Sequence, residues 1–197
     1  MEDKIKRIIS KQLLESLNNL QVIASNNEFL ELIGKVALIC VGALQSGSKI
    51  LFAGNGGSAA DSQHLAGELV SRFNYDRPGL PAFALTTDTS VLTAIGNDYG
   101  YERLFARQIE AVGNSGDVFI GISTSGNSPN ILKALETARN KGMITVGLTG
   151  KSGGQMRDIC AYCLHVPSDF TPRIQEGHIL IGHIICCIIE QQMFPKD

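Results

Sequence analysis

The sequence predicts an α/β fold: a doubly wound, five-stranded parallel sheet in the order 2-1-3-4-5, preceded by a helical extension. Three observations carry this. After Gly47, five short apolar runs alternate with helix-forming stretches, and such alternation implies crossover connections and a parallel sheet covered on both faces. Before Gly47, apolar residues recur at three- and four-residue steps, the period of a helix. Segments rich in glycine and hydroxyls follow the first and third apolar runs, and in a sheet of this order those two junctions flank the crevice where ligands bind. No linker, low-complexity segment or fixed-period repeat divides the chain. Residues 1–197 therefore read as one domain, with helices over 1–46 and an α/β core with a C-terminal helix over 47–197.

Within the first 46 residues, Ile5, Ile8, Ile9, Leu13, Leu14, Leu17 and Leu20 set the helical period, and Ser25, Asn26 and Asn27 break it into two helices. The second helix, ending near Gly47, is apolar on nearly every side over residues 31–44. Such a helix needs neighbours all round, which predicts association of subunits through this region. Strands are predicted at 49–54, 81–87, 117–123, 143–150 and 161–166, and helices at 59–74, 101–113, 128–141 and 152–158. A last helix is predicted from Thr171 and Pro172, read as a capping residue and a first-turn proline, to about residue 193.

Composition excludes several classes. With 17 Lys and Arg against 19 Asp and Glu, the net charge of -2 removes the footprint of a nucleic-acid or anionic-membrane binder. Any phosphate must then be held by local geometry. The charged fraction of 18% lies below the roughly 25% of soluble domains, in keeping with a surface shared between copies. Five cysteines, an odd number, make no disulfide framework, and the opening MEDKIKRIISKQ lacks the apolar core of a signal peptide. A cytoplasmic protein is expected. The apolar stretches at 36–44 and 179–189 fall short of the roughly 20 residues that span a bilayer. Cys160 and Cys163 have CxxC spacing, but their surroundings read as a strand, where positions three apart face opposite sides. With Cys40, Cys186 and Cys187 they are expected to be ordinary buried thiols.

Two strand-to-helix junctions have the chemistry of an anion site. Gly54, Asn55, Gly56, Gly57 and Ser58 open the helix after the first strand. Glycines let backbone N–H groups approach a ligand, and a helix N-terminus adds partial positive charge. Ser123, Thr124, Ser125, Gly126, Asn127 and Ser128 follow the third strand, placing four hydroxyls around a glycine. Either loop alone is no more than a tight connection; the pair, flanking one crevice, points to a phosphate. GNGGS does not fit GxGxxG, and GxxxxGK[ST] is absent, which leaves dinucleotide and P-loop readings weak.

Next to the first loop, His64 and Glu68 stand four residues apart, on one helical face, resembling half a metal site. The last helix carries Gln175, His178 and His183, and His183 interrupts an otherwise apolar run. It must be hydrogen-bonded, ligated or uncharged. Spacing alone does not select among the three: Gln175 shares a face with His178, whereas Gln175 and His183 lie about 12 Å apart along the axis and would share a metal only by converging from two turns away or from different chains.

Taken together, KILFAGNGGSAADSQHLAGEL, the GND of 96–98, GISTSGNSPN, TGKSGG and RIQEGH resemble the phosphoheptose isomerase family of the sugar-isomerase (SIS) domain superfamily, over almost the whole chain. The resemblance implies one zinc per subunit, held by His64, Glu68, Gln175 and His183. It implies sugar and phosphate contacts from Asn55, Gly56, Gly57, Asn97, Asp98, Ser123, Thr124, Ser125 and Ser128, with Glu68 and Gln175 also at the substrate. It implies a homotetramer with active sites between subunits. The implied reaction converts sedoheptulose 7-phosphate to D-glycero-D-manno-heptose 7-phosphate, the first step toward nucleotide-activated heptose and so toward products such as lipopolysaccharide. A 1,2-carbonyl shift needs proton removal beside a carbonyl, an enediol(ate), and reprotonation at the neighbouring carbon. Glu68 is the candidate base and His183 the partner acid; of Asp61, Asp98 and Asp169 as other proton carriers, Asp98 ranks first. A related, non-catalytic group that binds the replication initiator is similar over the loops but lacks the carboxylate at position 68 and the imidazole at position 183. Both are present here, so that reading is the alternative. A sugar-phosphate-sensing regulator would carry a DNA-binding module, and none is seen.

Overall fold

A computed structural model describes residues 2–196. Helices α1 (Glu2–Ala24) and α2 (Asn27–Gln45) open the chain. Asn26 separates them and caps the second, its side chain accepting from the Phe29 N–H at 3.1 Å. Strands β1 (Ile50–Gly54), β2 (Ala82–Ala84), β3 (Val118–Ile122), β4 (Ile144–Thr149) and β5 (Tyr162–His165) follow. They pair in parallel throughout, in the predicted order β2-β1-β3-β4-β5. Between and after them come α3 (Gly57–Val70), α4 (Thr89–Tyr99), α5 (Leu104–Val112), α6 (Pro129–Asn140), α7 (Met156–Ile159) and α8 (Thr171–Met193).

Both faces of the sheet are buried, and alternate residues of each strand serve different cores. Ile50, Phe52, Val118, Ile120, Ile122, Val146 and Leu148 pack with residues of α2, α3 and α8. Leu51, Ala53 and Phe119 pack on the other side with residues of α4, α5 and α6. The strands consequently read as unbroken apolar runs rather than as an alternation. Each fully buried Ile, Leu or Phe contributes roughly 1.5–3 kcal/mol relative to exposure.

Several elements depart from expectation. Helix α4 was not predicted: Thr89, Ser90, Gly96 and Asn97 depress helix propensity, yet Asp88 caps it at the Val91 N–H (3.0 Å), and Val91, Leu92 and Ile95 face the core. The predicted helix at 59–74 runs over Gly57–Val70, because the Phe73 and Asn74 N–H groups are taken by the Glu190 carboxylate at 2.8 and 2.7 Å. The predicted helix at 152–158 shrinks to α7, since Gly153 and Gly154 adopt φ of +75° and +53°. The one predicted at 101–113 begins as a 3-10 turn, Tyr101–Arg103, before α5. Thr171 lies inside α8; its N-cap is Phe170, without a side-chain bond. Cys160 precedes β5 instead of lying within a strand, so it and Cys163 do not face opposite sides: both sulfurs approach Gly147.

Helix α2 finds its neighbours within the protomer, packing on α8 with Val36, Ala37 and Cys40 fully buried. The unpartnered apolar stripe lies on α1, where Ile5, Ile8, Ile9, Leu13, Leu14 and Leu17 are exposed, Leu13 at 66%. Among the described residues, no helix is long and apolar enough to cross a membrane.

Candidate active site

β1 and β3 are neighbours in the sheet, but the helices that follow them cover opposite faces: Leu65 and Leu69 of α3 join one core, Ile131 and Leu135 of α6 the other. This is the topological switch point, where the strand ends open a crevice. At the first loop a Cβ on Gly54 would stand 2.5 Å from the Ser58 carbonyl oxygen, so only glycine permits the sharp turn into α3. Gly56 takes φ +56° as the N-cap, and no side chain caps the helix. The second loop folds its hydroxyls inward. Ser123 Oγ lies 2.8 Å from Ser128 Oγ and 3.4 Å from Ser125 Oγ. Ser128 occupies the N-cap of α6, yet its hydroxyl turns to Ser123 and leaves that helix uncapped as well. Two helices thus direct uncapped N-termini, with their partial positive charge, at one crevice.

The loops are tied together. Asn55 and Asn130 exchange side-chain amide bonds of 2.9 Å in both directions, and the Tyr101 hydroxyl donates to Asn55 Oδ1 at 2.9 Å. Asn127 Oδ1 accepts from the Gln155 N–H at 2.9 Å, and Asn127 Nδ2 donates to the Ser125 carbonyl at 3.0 Å, which braces the second loop from behind. Asn97 and Asp98 are exposed on the last turn of α4 and bond to each other (2.8 Å) instead of to either loop. Thr124 is half-buried, its carbonyl accepting from the Gly150 N–H at 3.1 Å.

Helices α3 and α8 lie side by side, and their close approach has a sequence cause: a Cβ on Gly182 would meet the Leu65 side chain at 2.5 Å. Around that contact His64 Nε2 lies 2.7 Å from His183 Nε2, and Glu68 Oε1 lies 3.3 Å from His64 Nε2. One donor atom from each residue falls within 4.8 Å of the others. The donor set itself tests whether a metal fits. Two imidazole nitrogens facing each other cannot both carry a proton there, and two nitrogens with a carboxylate oxygen gathered this closely suit zinc or a similar divalent ion. Phe73 packs against the His183 ring, centroids 5.7 Å apart. Arg77 fixes the end of α3 by donating to the Glu68 and Leu69 carbonyls at 2.8 and 2.6 Å, and its Nε reaches Glu190 at 3.2 Å. Burial alone would raise the Glu190 carboxyl, but the Asn74 and Phe73 N–H groups and Arg77 hold it below the usual carboxylate range.

Gln175 stands apart from the three donors. Its amide covers Gly57 at the start of α3, roughly 10 Å along that helix from His64 at 1.5 Å per residue. His178 is fully buried, bonded through Nε2 to the Thr149 carbonyl at 3.1 Å. Burial lowers it to about 4, against the pull of that carbonyl. Asp61, one turn before His64, is half-buried, and burial raises its carboxyl against the attraction of His64. Asp169 is exposed. Sequence reasoning passed over Tyr101, Asn130, Phe73, Arg77 and Glu190. Asn130, in the first turn of α6, was open to suspicion from its place beside the hydroxyl loop; the others carry no local signal.

A family profile described as the SIS domain matches residues 15–150. The chain is 61% identical to the phosphoheptose isomerase of Aneurinibacillus thermoaerophilus, over 98% of this chain and 96% of that one. The chain belongs to the phosphoheptose isomerase family. A second member, from Burkholderia pseudomallei, is 55% identical over the full length of both chains. The family's solved structure from Francisella tularensis superposes with a TM-score of 0.90 at 40% identity, covering 94% of this chain and 97% of that one. Membership makes the chain an isomerase.

Proposed function

We infer that the chain interconverts sedoheptulose 7-phosphate and D-glycero-D-manno-heptose 7-phosphate at the crevice between β1 and β3. The observation that carries this reading is the meeting of His64, Glu68 and His183 beside two anion-ready loops. The phosphate sits on Ser123, Thr124, Ser125 and Ser128 with the uncapped N-terminus of α6. Asn55, Gly56 and Gly57, with Asn97 and Asp98 from α4, take the sugar hydroxyls. Binding energy from the phosphate, remote from the reacting carbons, fixes the open-chain sugar against the base.

His64, Glu68 and His183 hold a zinc ion, with Gln175 as the fourth ligand once the subunits assemble. When bound, zinc supplies Lewis-acid polarisation of the carbonyl. Glu68 removes the proton beside the carbonyl, and His183 moves the proton to and from the oxygens, which carries the sugar through an enediol(ate). Glu68 presents its carboxylate from the half-buried face of α3, whose end Arg77 holds through the Glu68 carbonyl. The protein works in the cytoplasm as a homotetramer whose N-terminal helices, residues 1–46, make the subunit contacts, while residues 47–197 carry the chemistry. The alternative, a non-catalytic protein bound to the replication initiator, is not favoured: the relatives are isomerases, and both Glu68 and His183 are in place.

The decisive experiment measures isomerisation of sedoheptulose 7-phosphate before and after chelation, with metal content assayed on the same sample. Activity lost with the metal and restored by zinc supports the reading. A metal-loaded tetramer inert toward the sugar phosphate would sink it.

A further inference from the structure

On the opposite side of the sheet from the His64 cluster, the CxxC pair occupies a gap made by a missing side chain. Gly147 of β4 pairs in register with Cys163 of β5. A Cβ at position 147 would stand 2.9 Å from Cys160 Sγ, 3.1 Å from Cys163 Sγ and 3.0 Å from Met156 Cε. The two sulfurs therefore converge on one small space, walled by Met156, that any larger residue would fill. We propose that Cys160 and Cys163 form a dithiol that closes to an intrachain disulfide by exchange with a low-molecular-weight disulfide.

The surroundings divide the labour between the two sulfurs. Cys163 has Cys160 and His165 beside it and the Thr149 hydroxyl 3.8 Å away; these lower its thiol against burial, with Cys160 the largest influence. Cys160 is raised, first by its neighbour Cys163 and then by burial. Cys163 is thus the attacking thiolate. Its sulfur bonds to one sulfur of the reagent and expels the other as a thiolate, which takes up a proton. Cys160, deprotonated as it attacks, then bonds to Cys163 Sγ and expels the second half of the reagent. Two protein S–H bonds are lost, one S–S bond forms, and the reagent's disulfide is reduced to two thiols.

Both cysteines are half-buried, and β5 is an edge strand, so a small reagent reaches them without opening the core. Cys40 and Cys186 are buried thiols that burial pushes up to about 12, and they offer the reagent nothing.

Tryptic cleavage isolates the pair: residues 158–173 contain Cys160 and Cys163 and no other cysteine. Native protein is incubated with glutathione disulfide, alkylated, digested and weighed by mass spectrometry. The expected result is a 158–173 peptide two hydrogens lighter and closed to alkylation, a loss of two of the five thiols, reversed by dithiothreitol, with an unchanged circular dichroism spectrum. Cys160→Ser should stop at one glutathione adduct on Cys163. A peptide that stays fully alkylatable, that carries two separate adducts, or that closes only in urea would overturn the proposal.

Discussion

Glu68 and His183 reach the same point from two different helices, and each has a separate structural support. Arg77 pins the carbonyl of Glu68, and Phe73 lies against the ring of His183. Glu68→Gln keeps the shape and removes the proposed base. Its turnover should fall by at least about 100-fold, the usual contribution of a positioned base, while thermal unfolding stays as in the parent; steady-state kinetics beside a melting curve checks this, and near-parental turnover refutes the assignment. His178 offers a test of a different kind. Its ordinary value is 6.5 and its folded value about 4. Above pH 6.5 neither state holds the proton. As pH falls below 6.5 the unfolded chain takes it up and the folded chain does not, so stability declines until the folded form also titrates near pH 4. The accumulated loss is on the order of 3 kcal/mol. Chemical denaturation between pH 7.5 and 4.5 should show this slope, and His178→Gln should flatten it. Asp117 and Glu190 are separable from it. Burial raises each, but hydrogen bonds from Lys49 and Asn114, and from Asn74, Phe73 and Arg77, win and hold both low. Their contribution persists until pH falls through the ordinary carboxylate range.

At the scale of elements, the spacing of α3 from α8 sets how closely His64 and His183 approach, and with it the proposed metal site. Gly182→Ala places a methyl against the fully buried Leu65 and must push the helices apart or force Leu65 off its rotamer, at a cost of about 1–3 kcal/mol. His64 and His183 sit beside that contact, so the variant should bind zinc at least tenfold more weakly by competition with a chromophoric chelator. Gly42→Ala is the control. It lies in α2 with nothing within 4 Å of the new methyl, and should gain about 0.5–1 kcal/mol with zinc affinity unchanged. This glycine contact was illegible in the sequence, where Gly182 is one small residue in an apolar run. The strands were legible because burial on both faces leaves only apolar residues to choose from. Helix α4 was not, because a single well-placed cap, Asp88, and three inward residues outweigh four poor helix formers. The hydroxyl loop was legible by composition; the Asn55–Asn130–Tyr101 network was not, since contacts 46 and 75 residues apart leave no local pattern. The strand rule misplaced Cys160 because β5 begins only at Tyr162, one residue after the predicted start, which leaves Cys160 at the end of α7.

For the whole molecule, the question is what covers α1. At 23 residues it is roughly 34 Å long and presents seven exposed aliphatic side chains, Val22 with the six of the stripe, a surface that water alone does not stabilise. Its inner side is fastened to the first turns of α8: Asn19 donates to the Arg173 carbonyl at 3.1 Å, Arg173 to the Gln12 carbonyl at 2.5 Å, and Ser16 to Glu176 at 2.8 Å. Gln175 lies between Arg173 and Glu176 in that same turn, so what holds α1 also bears on the residue proposed as the fourth ligand. Charging the stripe with Leu13→Glu and Leu17→Glu removes the apolar contact without touching the core, because both side chains are more than half exposed. The doubly substituted chain should sediment as a smaller species than the parent while its circular dichroism remains that of a folded α/β protein. Its specific activity should fall at low protein concentration and recover as concentration drives reassociation. Full activity in a species shown to be monomeric would mean that one protomer completes its own site, and that Gln175 serves Gly57 and the sugar in place of the metal.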